Sequence, residues 1–380
     1  MRASTINPWL EVLKAQLALG QSAIDAFSSI IGGESIVHES VNWTTPHTVF
    51  RELSTLRVLD FSAAREHVAN SMAIVIAPYA LHRANVADFA SEHSVIETLL
   101  REGTTRLFLV DWRSAVPERR FDSIDTHLAE LNVAVDDIGR GASVALVGLC
   151  QGGWLAAAFA ARFPKKICAL ALVGAPIDIA AEPSALSGMA NATPVAIIDE
   201  LVKLGDGLLL GRLLLASWPL AQASSTEIYE LLQCSDVPPT IAADGLIHRF
   251  MQWNQDVMDL PGVFYRQTFE WIFRENRLAR RQFRALGETI DLAQVECPLF
   301  LLAAREDEVV NPGQLTAIAS LVGTSARDIE TRVVAGRHLS LFMGRVTLAR
   351  EWPDLAKFLT SAGPGNKPTP AAKHGSSTVL

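Results

Sequence analysis

Three side chains able to cooperate in nucleophilic catalysis, Cys150, Asp307 and His338, each stand just after an apolar run. Cys150 is the centre of Gly148-Leu149-Cys150-Gln151-Gly152, where the strand-like SVALVGL (143–149) passes into the helix-like QGGWLAAAFAARFP (151–164). A turn that lifts a side chain clear of a strand end is very tight. Neighbours two residues to either side cannot carry a Cβ there, which explains Gly148 and Gly152. This nucleophile elbow also leaves the Gln151 amide, at a helix N-terminus, facing any oxyanion that develops on the attacked carbon. A thiol nucleophile needs a base, and the base needs an orienting carboxylate. Asp307 lies just past PLFLLAA (298–304); Glu306 and Glu308 are rivals one step away, and its phasing after the strand favours Asp307. His338 follows 31 residues later, just past TRVVA (331–335), and of nine histidines it alone combines a late position, a strand end and a nearby glycine.

The elements that must position these groups alternate along the chain. MAIVIAP (72–78), RLFLVDW (106–112), SVALVGL and ICALALVGAP (167–176) read as strands, separated by helix-like SVIETLLREG (94–103), SIDTHLAELNVAVDDIG (123–139) and the segment after Cys150. The strand runs are continuously apolar, as in a parallel sheet covered on both faces. Leu128, Leu131, Val135 and Ile138 give one helix a single buried stripe. The rhythm resumes with PLFLLAA, helix-like PGQLTAIASLVG (312–323), TRVVA and helix-like REWPDLAKFLTSA (350–362). Residues 177–290 break it and read as mostly helical, with a Leu-rich patch at 207–215 expected to be a buried helix. An insertion of that size between strands is expected to cap the sheet's C-terminal edge, where open parallel sheets bind ligands. The expected class is α/β: an α/β-hydrolase fold, a mostly parallel sheet with helices on both faces and a helical cap insertion. The core is expected over 46–176 and 291–362 and the cap over 177–290. An N-terminal helical segment (1–45) and a disordered tail (363–380) complete the expected organisation.

Composition narrows the function classes. With 33 basic and 41 acidic residues the net charge is −8, which opposes a nucleic-acid partner. The N-terminus lacks a signal-like apolar stretch and no run is long enough to span a membrane, so a cytoplasmic location is expected. Leu13, Leu17, Ile24 and Phe27 recur at helical spacing across 8–31; packing on the main domain is favoured over contact with a membrane or granule surface. The four cysteines have no metal-ligand spacing, so neither a disulfide framework nor a metal site is indicated. Cys168 and Cys297 are expected in the core, and Cys234 as an ordinary residue of the insertion.

Several motifs in order resemble the polyhydroxyalkanoate synthases, whose lipase-like box has cysteine in place of serine. They are the box at 148–153, Ala77-Pro78-Tyr79-Ala80-Leu81 with Asp88 downstream, Leu109-Val110-Asp111-Trp112-Arg113, WNQDVMDLPG at 253–262, Arg305-Glu306-Asp307, and His338. The resemblance covers about residues 45–360 and suits the short type of synthase. It implies a Cys150–His338–Asp307 triad, with the amide of Ala80 or Leu81 as a second oxyanion donor beside that of Gln151. The chain departs from the family pattern at His82, where an asparagine is usual, at Glu308, usually histidine, and at Arg337, usually glycine.

A thiolate that attacks an acyl-CoA exchanges one thioester for another of similar energy, so the acyl group stays activated for transfer to a hydroxyl. The expected function is therefore an acyltransferase that moves 3-hydroxyacyl groups from CoA thioesters to a growing polyhydroxyalkanoate chain. A thiol-dependent α/β-hydrolase acting as depolymerase or thioesterase, and a non-catalytic subunit or granule-surface protein, stay open as alternatives. No cofactor is expected, CoA thioester being substrate. The expected partners are a 3-hydroxyacyl-CoA and a polyester or oligoester, with a second synthase subunit or homodimer and a polymer granule surface as further candidates.

Overall fold

Eight runs form the central sheet of the computed structural model, which describes residues 42–62, 72–215, 218–234 and 241–362. In chain order they are β1 (Thr48–Glu52), β2 (Leu56–Asp60), β3 (Met72–Ile76), β4 (Arg106–Trp112), β5 (Val144–Leu149), β6 (Ile167–Val173), β7 (Leu299–Ala304) and β8 (Ile329–Val334). Their spatial order is β1-β2-β4-β3-β5-β6-β7-β8. The pairs from β4 through β8 are parallel, whereas β1 with β2 and β2 with β4 are antiparallel. The expected α/β-hydrolase architecture is thus present. The N-terminal amphipathic segment across 8–31 and the tail after 362 lie outside the described residues.

Every residue of β3 and β5 is buried, which is why their sequences are apolar without alternation. Their side chains nonetheless divide by period two. Ile74, Ile76 and Leu146 meet the layer formed by α1 (Ile124–Gly139) and α2 (Gln151–Arg162). Ala73, Val75 and Val147 meet the opposite layer, which holds Val95–Arg101 and Trp352–Ser361. The stripe Leu128, Leu131, Val135 and Ile138 of α1 is buried as its spacing requires, each side chain contributing about 2 kcal/mol relative to exposure. A Ser123–Thr126 capping box starts that helix.

Two parts of the chain differ from the expectation. The hairpin of β1 and β2 lies outside the expected elements: β1 is an edge strand whose residues are mostly exposed, with Phe50 packed inward on Phe108. The Leu-rich patch is not one buried helix. Leu208 and Leu209 form a short strand paired with Leu260 and Pro261, and the helix Gly211–Leu215 that follows leaves Leu213, Leu214 and Leu215 half-buried. Gly207, at φ 93° against the Arg120 side chain, breaks the helical path just before this strand.

The long excursion between β6 and β7 is tied to the loop after β3. Met258 N–H donates to the Leu81 carbonyl at 2.7 Å, Arg83 pairs with Asp256 at 2.7 Å, and His82 bridges to Val257. From the other side Trp112 Nε1 donates to the Ala77 carbonyl at 2.8 Å, and Tyr79 OH to the Arg113 carbonyl at 3.1 Å. The segment 77–83 is therefore braced at the C-terminal edge of the sheet.

Candidate active site

The elbow is built as its glycines demand. Cys150 sits at φ 48° and ψ −121°, with its N–H donating to the Val173 carbonyl at 2.9 Å. A non-glycine residue at such a φ is strained, at a cost of about 1–3 kcal/mol that the surrounding sheet and helix must offset. A Cβ on Gly152 would lie 2.1 Å from the Ile76 carbonyl oxygen, and one on Gly148 2.5 Å from the Gly153 Cα. Gly153 is a third requirement that the sequence reading left out: its Cβ would lie 2.3 Å from that of Ala175. The doubled glycine after Gln151 was the available signal.

The loops after β7 and β8 bring the acid and the histidine together. His338 Nδ1 lies 2.7 Å from Asp307 Oδ2, and both side chains are almost wholly buried, at 2% and 1% exposure. Asp307 Oδ1 accepts the N–H groups of Val309 and Val310 at 2.8 and 2.7 Å, which orients the carboxylate. Cys150 and the His338 ring border the same cavity. Burial by itself pushes the imidazolium down, but the charges and hydrogen bonds of Asp307 and Cys150 oppose this and hold His338 well above its ordinary range.

The three adjacent acids have separate jobs. Glu306 accepts the Gly336 N–H at 2.7 Å, and Glu308 accepts the His338 backbone N–H at 3.2 Å while pairing with Arg337 at 3.2 Å. Only Asp307 of the three reaches the ring. The departures from the family pattern at Glu308 and Arg337 are therefore partners of each other, and they support the backbone that carries His338.

Ala80 and Leu81 border one cavity of about 60 Å³ with Cys150 and His338, under Trp218, Trp253 and Phe342. Gln151 is the first residue of the helix that follows the elbow. Not every residue of the sequence motifs joins the site. Asp88 accepts hydrogen bonds from Thr44, Thr45 and Ser94, tying down the chain before β1, and Asp111 pairs with Arg57 at 2.5 Å. Cys234 is buried beside His93. Burial pushes the Cys168 thiol up, and takes Cys297, with Cys168 nearby, up to about 12. A larger cleft of about 220 Å³ lies by Lys165, Glu296 and Cys297, away from this chemistry. Among the described residues no helix is long and apolar enough to cross a membrane.

A strand-elbow-helix carrying a cysteine, with a buried His–Asp pair on the neighbouring strand ends, defines a class. The family described as alpha/beta hydrolase fold matches residues 87–344, and the chain belongs to it. Its relatives are narrower in kind. The poly(3-hydroxyalkanoate) polymerase subunit PhaC of Haloferax mediterranei is 23% identical over 95% of this chain and 73% of its own length. The subunit of the same name from Synechocystis sp. is 26% identical over 64% of this chain and 66% of its own. A monoacylglycerol lipase structure from Paleococcus ferrophilus, 14% identical, covers 81% of this chain and 100% of its own at a TM-score of 0.50, a likeness of fold. The resemblance drawn from the motifs therefore holds: this α/β-hydrolase-fold chain is similar to poly(3-hydroxyalkanoate) polymerase subunits.

Proposed function

We propose that this chain transfers 3-hydroxyacyl groups from CoA thioesters to a growing polyhydroxyalkanoate chain, with Cys150 as nucleophile, His338 as base and Asp307 as its orienting acid. The observation that carries this reading is the buried 2.7 Å contact between Asp307 and the His338 ring, which shares one cavity with Cys150. In the cycle, His338 takes the thiol proton and sulfur attacks the thioester carbon. The carbon–sulfur bond to CoA then breaks, and CoA leaves as a thiol with the proton that His338 returns. A chain-end or substrate hydroxyl gives its proton to His338 and attacks the acyl-cysteine, forming the ester and restoring the thiol. The amides of Gln151 and of Ala80 or Leu81 hold the oxyanion at each stage. The cycle balances with no cofactor beyond its substrates.

The small, mostly apolar cavity favours transfer, since water competing with the hydroxyl would divert the acyl group to free acid. The test supplies 3-hydroxybutyryl-CoA to purified protein, follows CoA release and identifies the product. Polymer or oligoester is expected; free acid alone would replace the transferase with a hydrolase, and no CoA release would remove enzymatic turnover altogether. Iodoacetamide is expected to stop release and to label Cys150 ahead of Cys168, Cys234 and Cys297. Full activity in Cys150→Ala would exclude the assigned nucleophile.

A further inference from the structure

The wall of the Cys150 cavity contains one imidazole besides that of His338. His82 borders the cavity together with Cys150 and His338 and is only 8% exposed. Its Nε2 lies 3.1 Å from the Asn254 carbonyl oxygen. A carbonyl only accepts, so Nε2 carries the proton and Nδ1 is left with a lone pair. The ring is held on its other sides: it stacks on Trp253 at 4.3 Å and 26°, and meets Trp218 edge-on at 5.2 Å. Asn254 is fixed in turn, accepting from Trp218 Nε1 at 3.1 Å and donating to the Leu220 carbonyl at 2.8 Å. Burial takes His82 down to about 4, so the imidazole is neutral at physiological pH and Nδ1 remains an acceptor. The guanidinium of Arg83, also in the wall, is engaged by Asp256 at 2.7 Å.

An oriented acceptor in a mostly apolar wall recognises a donor. The acyl part of a plain fatty thioester has none; that of a 3-hydroxyacyl thioester has its hydroxyl. Resting on the function proposed above, we propose that His82 Nδ1 accepts a hydrogen bond from the 3-hydroxyl of the acyl group seated on Cys150, and so selects hydroxyacyl over unsubstituted acyl thioesters. A site that hydrogen-bonds a substrate hydroxyl disfavours the analogue lacking it, because its own polar group is then left buried and unpaired. The role is specificity, distinct from the proton transfers at His338.

The test compares 3-hydroxybutyryl-CoA with butyryl-CoA, which share every CoA contact and differ only in the hydroxyl. Single-turnover acylation of Cys150 is read as CoA released per enzyme and as mass added to the protein. The wild-type protein is expected to favour the hydroxyacyl donor by about tenfold, the worth of one hydrogen bond. His82→Phe should bring the ratio of the two rates to within about twofold, and His82→Leu serves as a second apolar variant if the first does not fold. Because the readout is a ratio within one protein, damage to the fold lowers both rates and leaves it unmoved. A wild-type ratio near one, or a ratio unchanged in a folded apolar variant, would overturn the inference alone. Failure of both thioesters to acylate wild-type Cys150 would overturn the transferase reading and this inference with it.

Discussion

Asp307→Asn tests how the buried acid works, because the surrounding amides dictate how the new side chain must lie. In the native site Oδ1 accepts the Val309 and Val310 N–H groups at 2.8 and 2.7 Å, and Oδ2 faces His338 Nδ1 at 2.7 Å. An asparagine keeps its carbonyl oxygen toward the two amides, since the reverse orientation sets donors against donors. Its NH₂ then points at Nδ1, which must become an acceptor. The ring proton moves to Nε2, and the nitrogen on the Cys150 side no longer takes the thiol proton. The negative charge that holds His338 up is lost as well. Wrong-tautomer substitutions of this kind lower turnover by about 10⁴-fold, or about 5.5 kcal/mol in the barrier. The assay is single-turnover CoA release from 3-hydroxybutyryl-CoA, with thermal unfolding followed in parallel to show that the volume-matched variant stays folded. A folded Asp307→Asn protein within tenfold of wild type would refute the tautomer argument.

Further outcomes follow from the same geometry. Glu308→Gln retains an acceptor for the His338 backbone N–H but loses the charge pair with Arg337, so turnover should fall by about tenfold or less; a loss as deep as that of Asp307→Asn would exchange their roles. Gly152→Ala forces a Cβ to 2.1 Å from the Ile76 carbonyl oxygen, and should cost about 2 kcal/mol of stability in urea unfolding and displace the elbow. An unchanged midpoint would mean that the strand yields freely. His127 is buried neutral, its pKa taken down to about 4 by burial from an ordinary 6.5. The unfolded chain binds the extra proton, so this stability is complete above pH 6.5 and is lost as pH falls toward 4, about 3 kcal/mol in all. His127→Phe should lessen the fall of the urea midpoint across that window, the buried His82 keeping a share of it, and a parallel decline in wild type and variant would contradict the assignment.

The parts legible in the sequence are those whose causes are local or periodic. Gly148 and Gly152 announce a tight turn because the clash they avoid occurs whenever a strand bends that sharply into a helix. The buried stripe of α1 shows in the spacing of Leu128 through Ile138, and the covered parallel strands show in their continuous apolar runs. Edge strand β1 left no such mark, since most of its side chains face water. The Leu-rich patch misled for a related reason: apolar residues in a row say that something is buried, but Gly207 and pairing with Leu260 decide that the first two become a strand.

At the site itself, residue types and chain order were readable and strand phasing favoured Asp307, while the contacts themselves were not. Sequence alone determined an elbow cysteine and an acidic cluster and a histidine on later strand ends, because glycine spacing and strand phasing are properties of short segments. Which acid meets the ring was decided by the tertiary fold: Glu306, Asp307 and Glu308 differ by one step of backbone direction, and only the loops after β7 and β8 aim that step. His82 gained its place in the same way, 172 positions from the Asn254 carbonyl that orients it. A hydrogen bond between residues so far apart leaves no periodic trace, since its geometry exists only after the sheet has brought both segments to one edge.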